Sequence, residues 1–327
     1  SNKDLKLYSL TDKKSNFQYL SHEYRGESQI LEVKYDNLIH KIQINLIGKI
    51  QLKNILMAII AAEKSNINIK KIFKVLPSIK SVEGRFEKIG KIKNRSKVIL
   101  DYAHTPEALK TCLINLKEQF PSQKISVLFG CGGNRDQIKR AKMGKVVDIF
   151  ADKIYLTDDN PRFENPNKIR KDIKKGFKKQ EIYEIPNRLK AISEAINQLK
   201  TGEILLVAGK GHENTQELGV RKIFFSDKKV ILNAIEKKNS NLSNNLKFNI
   251  VKELSMDNKI SHKLNLRQAK INSREVKKND IFFAIKGRKH DGNRFIAQVF
   301  EKNASLAIVN QINKKNNVAR QIKVKDS

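Results

Sequence analysis

Between Glu83 and Lys238 the chain alternates strand-like and helix-like segments, and this alternation constrains its fold more than any other feature. The strand-like segments are "KVILDYA", "KISVLFG", "KIYLT", "EIYEI", "EILLVAG" and "KIFFS". Between and after them lie "PEALKTCLINLKEQF", "DQIKRAKMGKVVDIFA", "NKIRKDIKKGF", "NRLKAISEAINQL" and "DKKVILNAIEKK". The helix from Asn167 places Ile169, Ile173 and Phe177 four residues apart, on one apolar face. The strands are nearly continuous apolar runs, as a sheet covered on both faces requires. The predicted fold class is therefore α/β, a mostly parallel sheet with helices on both faces. Such sheets bind ligands beyond the carboxyl ends of their strands, so the loops that follow the strands carry the functional question.

The flanking segments differ. From residue 1 to 82, "ILEVKYDNL" and "HKIQINLIG" alternate like paired strands, and "LKNILMAIIAAEKS" and "IKKIFKVLPSI" read as a helix pair. "KKNSNLSNNL", Lys237 to Leu246, is polar and reads as a linker. Beyond it "KINSREV", "DIFFAIKG", "GNRFIAQVFEKNA", "SLAIVN" and "RQIKVKD" begin another small α/β domain. The expected organisation is 1–82, 83–238, a linker at 239–246, and 247–327.

Composition narrows the function classes. The 327 residues carry 66 basic and 34 acidic side chains, a net charge of +32. A basic nucleic-acid-binding protein is the alternative this raises. The lysines are spread along the chain, however, and Trp is absent. No aromatic–basic stacking pattern appears, so no specific nucleic-acid partner is expected. No apolar run reaches membrane-spanning length, and "SNKDLKLYSL" lacks the apolar core of a signal peptide. Cys112 and Cys131 make no disulfide framework, and Cys112 lies on an apolar helical face. A reducing cytoplasm is the expected compartment. His and Cys spacings fit no zinc site, and no G-x-x-x-x-G-K-[ST] phosphate loop occurs.

Four loops after predicted strands concentrate unusual chemistry. "LDYAHTPEAL" places Asp101 and His104 at a strand end, with Thr105 as helix cap and Pro106 as first helical residue. "FGCGGNRDQIKR" places glycines and Arg135 before a helix. "LTDDNPRFENP" sets Asp158, Asp159, Asn160, Pro161 and Arg162 after a buried strand. "VAGKGHENTQ" carries Gly209, Lys210, His212 and Glu213. Each has a plainer reading. The Asp and Pro residues can simply make a turn, His104 can be a structural hydrogen-bonder, Arg135 a helix-face ion pair, and Lys210 and Glu213 merely exposed. The glycine run is no dinucleotide fingerprint, because Arg135 stands where that motif needs a small residue. Jointly, Arg135 and Arg162 offer bidentate partners for carboxylates, and Asp159 and Glu213 offer partners for an amine. A zwitterionic amino acid requires such a set.

"VEGRFE", "VILDYAHTPEAL", "FGCGGNRD", "TDDNPR" and "VAGKGHE" together resemble the Mur ligases of peptidoglycan synthesis, in the order and spacing of the diaminopimelate-adding members. "LIGKIQLKNILMAIIAA" resembles the end of that family's central ATPase domain, so the likeness covers roughly Ser1 to Lys238. "INSREVKKNDIFFAIKGRKHDGNRFI" and "VKDS" resemble the amino-terminal, UDP-binding domain of the alanyl-alanine-adding ligase. Its position after a C-terminal domain implies a fusion of two consecutive pathway enzymes. The chain departs from the family at Gln51, usually Asn, and at Asn272, usually acidic.

The resemblance implies ATP- and Mg2+-dependent amide formation. Meso-diaminopimelate would be joined to UDP-N-acetylmuramoyl-L-alanyl-D-glutamate through an acyl phosphate. A lysine-adding ligase is the alternative within the family, and "DNPR" argues against it. By residue, the resemblance implies that Asn54, Arg85, Asp101 and His104 bind ATP, with Arg85 and His104 also catalytic. Arg135, Asp159, Asn160, Pro161, Arg162, Gly209 and Glu213 would bind diaminopimelate, with Asn160 and Arg162 meeting its distal carboxylate. Ser273 and Arg274 would contact UDP in the tail. The family's phosphate loop and carbamylated lysine lie upstream of the matched segment, so the 327 residues alone are expected to be inactive.

Overall fold

The computed structural model describes residues 17–178, 182–254, 266–287 and 290–324. The chain divides into two compact units, Ser1–Glu236 and Lys237–Ser327.

The first unit opens with an antiparallel meander, β1 (Phe17–Arg25), β2 (Ser28–Tyr35) and β3 (Leu38–Ile44). Asp36 and Asn37 turn β2 into β3 with φ of 47° and 65°, the left-handed pair that suits a two-residue hairpin. One face of the meander, with Leu31, Val33, Ile42 and Ile44, packs on Leu52, Ile55, Leu56 and Ile59 of α1 (Lys49–Lys64). α2 (Ile69–Val75) follows, capped by the Asn68 side chain.

The second layer is a six-stranded sheet, ordered β4 (Glu87–Lys88), β5 (Lys97–Asp101), β9 (Ile204–Ala208), β6 (Ile125–Phe129), β7 (Lys153–Leu156), β8 (Ile182–Glu184). β5 to β9 are parallel, and only the short edge strand β4 is antiparallel. Ile204 on β9 lies between Lys97 of β5 and Ile125 of β6. Every residue of β6 and β9 is buried, which is why both read as unbroken apolar runs. α3 (Pro106–Gln119), α4 (Ile138–Phe150) and α5 (Pro166–Lys174) close one core with Leu113, Val147 and Ile173. α6 (Arg188–Gln198) packs against β6, β7 and β9. The two layers are stitched by Gly48 N–H to Gln119 Oε1 (2.7 Å) and Gln119 Nε2 to Gly26 O (2.8 Å).

Two expectations are corrected. "KIFFS" forms a strand outside the six-stranded sheet: β11 (Arg221–Phe224) pairs with β10 (Thr215–Leu218) in a separate two-stranded hairpin, turning at Gly219 with φ 61°. The expected linker lies within a continuous helix, α7 (Asp227–Leu254). Its Asn and Ser residues are modest helix formers, but no Gly or Pro interrupts them.

In the second unit, β12 (Ala269–Lys270), β13 (Ile281–Phe283), β14 (Leu306–Val309) and β15 (Gln321–Lys323) form an all-parallel sheet in chain order, with α8 (Ile296–Glu301) between β13 and β14. Phe282, Ala307 and Val309 face one apolar cluster, Ile281, Leu306 and Ile308 another.

Candidate functional site

The loops after β5, β6, β7 and β9 leave the sheet at the carboxyl ends of four neighbouring strands and surround a cavity of about 410 Å3. His104, Arg135, Asp159, Asn160, Arg162, Gly209 and Glu213, all singled out from sequence, line it.

The loop after β7 is held against the loop after β6 by backbone. Gly133 N–H donates to Asn160 O (2.9 Å), and a Cβ on Gly133 would stand 2.0 Å from Pro161 O. The glycine run thus exists for close approach of two loops. Pro161 is buried beneath the cavity and does not line it. Asp158 does not face a ligand either: it pairs with Arg170 of α5, and its N–H donates to Pro186 O. Arg162 has φ 51°, a left-handed backbone unusual for a non-glycine residue. Its N–H donates to Glu217 O (3.1 Å) and its carbonyl accepts from Gly219 N–H (2.7 Å), so the β10–β11 hairpin clamps it. The guanidinium then reaches Glu217 Oε2 through Nε (2.7 Å) and donates from Nη1 to Gly133 O (3.0 Å). Arg135 is exposed on the cavity rim, with no hydrogen bond or ion pair among the described residues.

Behind these residues lies a buried charge cluster. Lys210, whose plainer reading was a merely exposed lysine, has 0% exposure. Its ammonium donates to Asn160 Oδ1 (2.9 Å) and Glu213 Oε2 (3.0 Å) and stands 3.8 Å from Asp159 Oδ1. Three acceptors compensate a charge that could not otherwise be buried. Asn160 is correspondingly occupied: Oδ1 also accepts from Glu217 N–H (3.1 Å), and Nδ2 donates to Glu213 Oε2 (3.1 Å). Burial pushes the Glu213 carboxyl up, but Lys210, Asn160 and Tyr102 outweigh it and hold the group below the usual range. Burial raises Asp159 despite Arg188 and Lys210 nearby. Gly209 is fixed by this crowding, since it takes φ 112° and a Cβ there would stand 2.8 Å from Asp159 Oδ2. Deeper still, Arg188 and Asp227, both fully buried, pair through two hydrogen bonds of 2.8 and 2.7 Å.

Comparison with known proteins matches residues 84–211 to the glutamate ligase domain of Mur ligases and residues 266–326 to the Mur ligase family catalytic domain. The chain belongs to the Mur ligase family. It is 38% identical over 229 residues to a UDP-N-acetylmuramoyl-L-alanyl-D-glutamate–2,6-diaminopimelate ligase of Rickettsia typhi, covering 66% of this chain and 46% of that protein. The namesake ligase of Fusobacterium nucleatum is 42% identical over 212 residues, covering 64% and 43%. A solved structure of a ligase of that name superposes with a TM-score of 0.56 at 31% identity, over 71% of this chain and 47% of the other. A UDP-N-acetylmuramate–alanine ligase from Thermotoga maritima shares the fold at 18% identity, with a TM-score of 0.50 over 70% of this chain and 47% of that one. The chain thus spans about half the length of the relatives it matches.

The remaining residues singled out in this Mur ligase chain lie outside the cavity wall. Both Asp101 oxygens already accept backbone N–H groups, from Phe86 and Ala103, each at 2.7 Å. Arg85 is exposed and stacks over the Tyr102 ring at 4.6 Å. That ring also meets His104 (4.7 Å) and His212 (5.4 Å), and its hydroxyl donates to Glu213 Oε1 (3.3 Å). Tyr102 thereby joins the expected nucleotide side to the amino-acid side. Asn54 is exposed on α1, away from the cavity wall, whereas Gln51 is buried and donates to Arg85 O (2.9 Å). In the second unit Ser273 is buried and Arg274 exposed, and the carbonyls of both accept from Lys302 Nζ. Tyr102, Lys139, Lys210 and Glu217 are the contributors that sequence reasoning did not assign. Tyr102, Lys139 and Lys210 carried a signal by lying inside quoted motifs, whereas Glu217 lies just past one.

Proposed function

We propose that residues 17–236 are the acceptor-binding part of an ATP-dependent amide ligase that adds meso-diaminopimelate to UDP-N-acetylmuramoyl-L-alanyl-D-glutamate. The observation that carries this reading is one cavity with Arg135 and Arg162 among its cations and Asp159 and Glu213 among its anions. A zwitterionic end of an amino acid suits it. The carboxylate would meet Arg135 and the free edge of Arg162, and the ammonium would meet Glu213 and Asp159. Lysine has no second carboxylate, so it would forfeit the charge-assisted hydrogen bonds to Arg135 and to the free edge of Arg162.

ATP would supply the phosphoryl group that makes the glutamyl side-chain carboxylate an electrophile. In this chain Arg85, His104 and the Tyr102 ring form a cationic and aromatic edge beside the cavity that suits a nucleotide. Asp101 fits ribose less well, since both its oxygens are bonded to backbone. Magnesium is a different case. Among the described residues no cluster of three His, Cys, Asp or Glu is placed to hold a metal. The work of this chain is positioning: holding the acceptor so that its free amine faces the activated carboxylate lowers the entropic part of the barrier. Among the described residues no helix is long and apolar enough to cross a membrane, which suits a cytoplasmic site with nucleotide-sugar substrates.

We read the second unit, by its match at 266–326, as the start of a second Mur ligase module fused behind the first. The acceptor assignment is tested by ligation assays on the complete polypeptide that contains this chain. Product is expected with meso-diaminopimelate and at least about 100-fold less with lysine. Equal use of both acceptors would refute the assignment.

A further inference from the structure

Lys210 touches no solvent, so no ligand can meet its ammonium directly. It nevertheless contacts both wall residues that define the amine end of the cavity. We propose that Lys210 is the positioning residue of the acceptor site: it holds Glu213 as an anion and locks Asn160 with its carbonyl oxygen turned inward. The proposal rests on the acceptor reading above.

The geometry assigns each donor. Nζ gives hydrogen bonds to Asn160 Oδ1 and to Glu213 Oε2 and stands beside Asp159 Oδ1. With Oδ1 so occupied, the Asn160 amide must present Nδ2 to Glu213, as observed at 3.1 Å. Glu213 then has Oε2 held by two donors, and Oε1 accepting from the Tyr102 hydroxyl. Asp159 and Glu213 both lie close to Lys210, and two carboxylates around one site cannot both ionise without a cation between them. Arg188, the other buried cation facing Asp159, is engaged by Asp227 through two hydrogen bonds. Lys210 is therefore the cation that separates the two wall carboxylates. Removing it would leave Glu213 to take up a proton, and a neutral Glu213 cannot pair with an ammonium. The amide of Asn160 would also be free to flip, placing its oxygen toward the Glu213 carboxylate.

The test has two arms. In the first, Glu213 is titrated by carbon NMR in this chain, wild type and Lys210→Met. Glu213 in the wild type is expected to titrate below its ordinary value of 4.5, and in Lys210→Met above it. This arm needs no substrate. It stands even if the acceptor is not diaminopimelate, and Lys210→Gln takes the place of Lys210→Met if the latter does not fold. A wild-type Glu213 titrating at or above 4.5 would overturn the proposal. In the second arm, Lys210→Met, Glu213→Gln and the double variant are assayed in the complete ligase. Each single variant is expected to lower kcat/KM for diaminopimelate roughly 30-fold or more, with KM for ATP unchanged. The double variant should be no worse than either single one, because both changes remove the same anion. Multiplicative losses, or a uniform loss toward both substrates, would mean that Lys210 only supports the fold. Absence of diaminopimelate turnover in the wild type would instead strike the acceptor reading and leave the titration to judge Lys210.

Discussion

Arg162 and Glu217 form an ion pair at 2.7 Å across the gap between the loop after β7 and the hairpin β10–β11, and the backbones of the same two residues are hydrogen-bonded at 3.1 Å. The pairing holds Arg162 in its left-handed conformation and, with Nη1 on Gly133 O, leaves Nη2 without a hydrogen bond among the described residues. Glu217 thus aims the arginine. Only part of the fork remains for a ligand, which favours a carboxylate approaching from one side.

Arg162→Ala in the complete ligase should therefore cost about 2–4 kcal/mol in transition-state binding of diaminopimelate, a loss of roughly 30- to 1000-fold in kcat/KM. Arg162→Lys should rescue poorly, because an ammonium cannot span Glu217, Gly133 and a ligand carboxylate at once. Glu217→Gln should lie between, keeping the backbone clamp while loosening the guanidinium. Steady-state kinetics with each substrate varied in turn provides the measure. An unchanged diaminopimelate-to-lysine ratio in folded Arg162→Ala would rule out a recognition role.

Gly133→Ala should be destabilising although its chemistry is trivial. The added methyl would meet the Pro161 carbonyl at 2.0 Å, backbone against backbone, and neither loop can yield without moving Asn160 or Arg162. Overpacking of this kind costs about 1–3 kcal/mol. Chemical denaturation of the chain should show that loss. A variant as stable as the wild type would show that the two loops are free to separate.

Much of this was legible in the sequence, and the part that was not has identifiable causes. β6 and β9 announced themselves because central parallel strands are apolar throughout. The convergence of Arg135, Asp159, Arg162 and Glu213 followed from the rule that ligands gather at the carboxyl ends of such strands. β4 has two residues, and β10 buries only the polar Gln216 while its one apolar residue, Leu218, is exposed, so neither carries a hydrophobic signal. Lys210 was given no role, since the plainer reading of a lysine is exposure. Its burial depends on Asn160, 50 residues away, a contact that no local pattern encodes. The nucleotide role expected of Asp101 came from the family resemblance and not from any local pattern. The structure places both its oxygens on backbone N–H groups of Phe86 and Ala103. Lys237 to Leu246 read as a linker from its polar composition, and its helical backbone was not legible because polar residues without Gly or Pro are compatible with both.

The Arg188–Asp227 pair should be the most sensitive ionic contact in the first unit. Both side chains are fully buried, and Arg188 also donates to Ala208 O (3.0 Å), tying α6, α7 and the end of β9 together. Removing one partner strands the other charge away from water. Arg188→Met or Asp227→Asn should each cost about 3–5 kcal/mol. Arg188→Met combined with Asp227→Leu should recover part of that loss, since no unpaired charge remains. Denaturant midpoints of the three variants decide the point, and a double variant worse than both singles would contradict it.

Acid should loosen the opposite flank of the sheet first. Arg140, fully buried on α4, pairs with both Glu164 oxygens at 2.7 Å and reaches Asp172 at 3.2 Å. The Arg140 hydrogen bonds hold Glu164 below its ordinary value of 4.5. The Lys175 hydrogen bond, with Arg140 behind it, does the same for Asp172 against 3.8. A carboxylate whose folded-state pKa is depressed contributes stability that is fully present above its unfolded value and is lost as pH falls through the folded one. The first unit should therefore hold its stability down to about pH 5 and lose it progressively below, with α4 and α5 separating. Asp159 works in the other direction: burial raises its pKa, so protonating it favours the folded state and partly offsets the loss. Glu164→Gln should lower stability at pH 7 and flatten the acid limb, because one of the depressed carboxylates no longer titrates. Denaturation measured at stepped pH values reads both effects. An acid limb of unchanged steepness in Glu164→Gln would assign the acid sensitivity to other carboxylates.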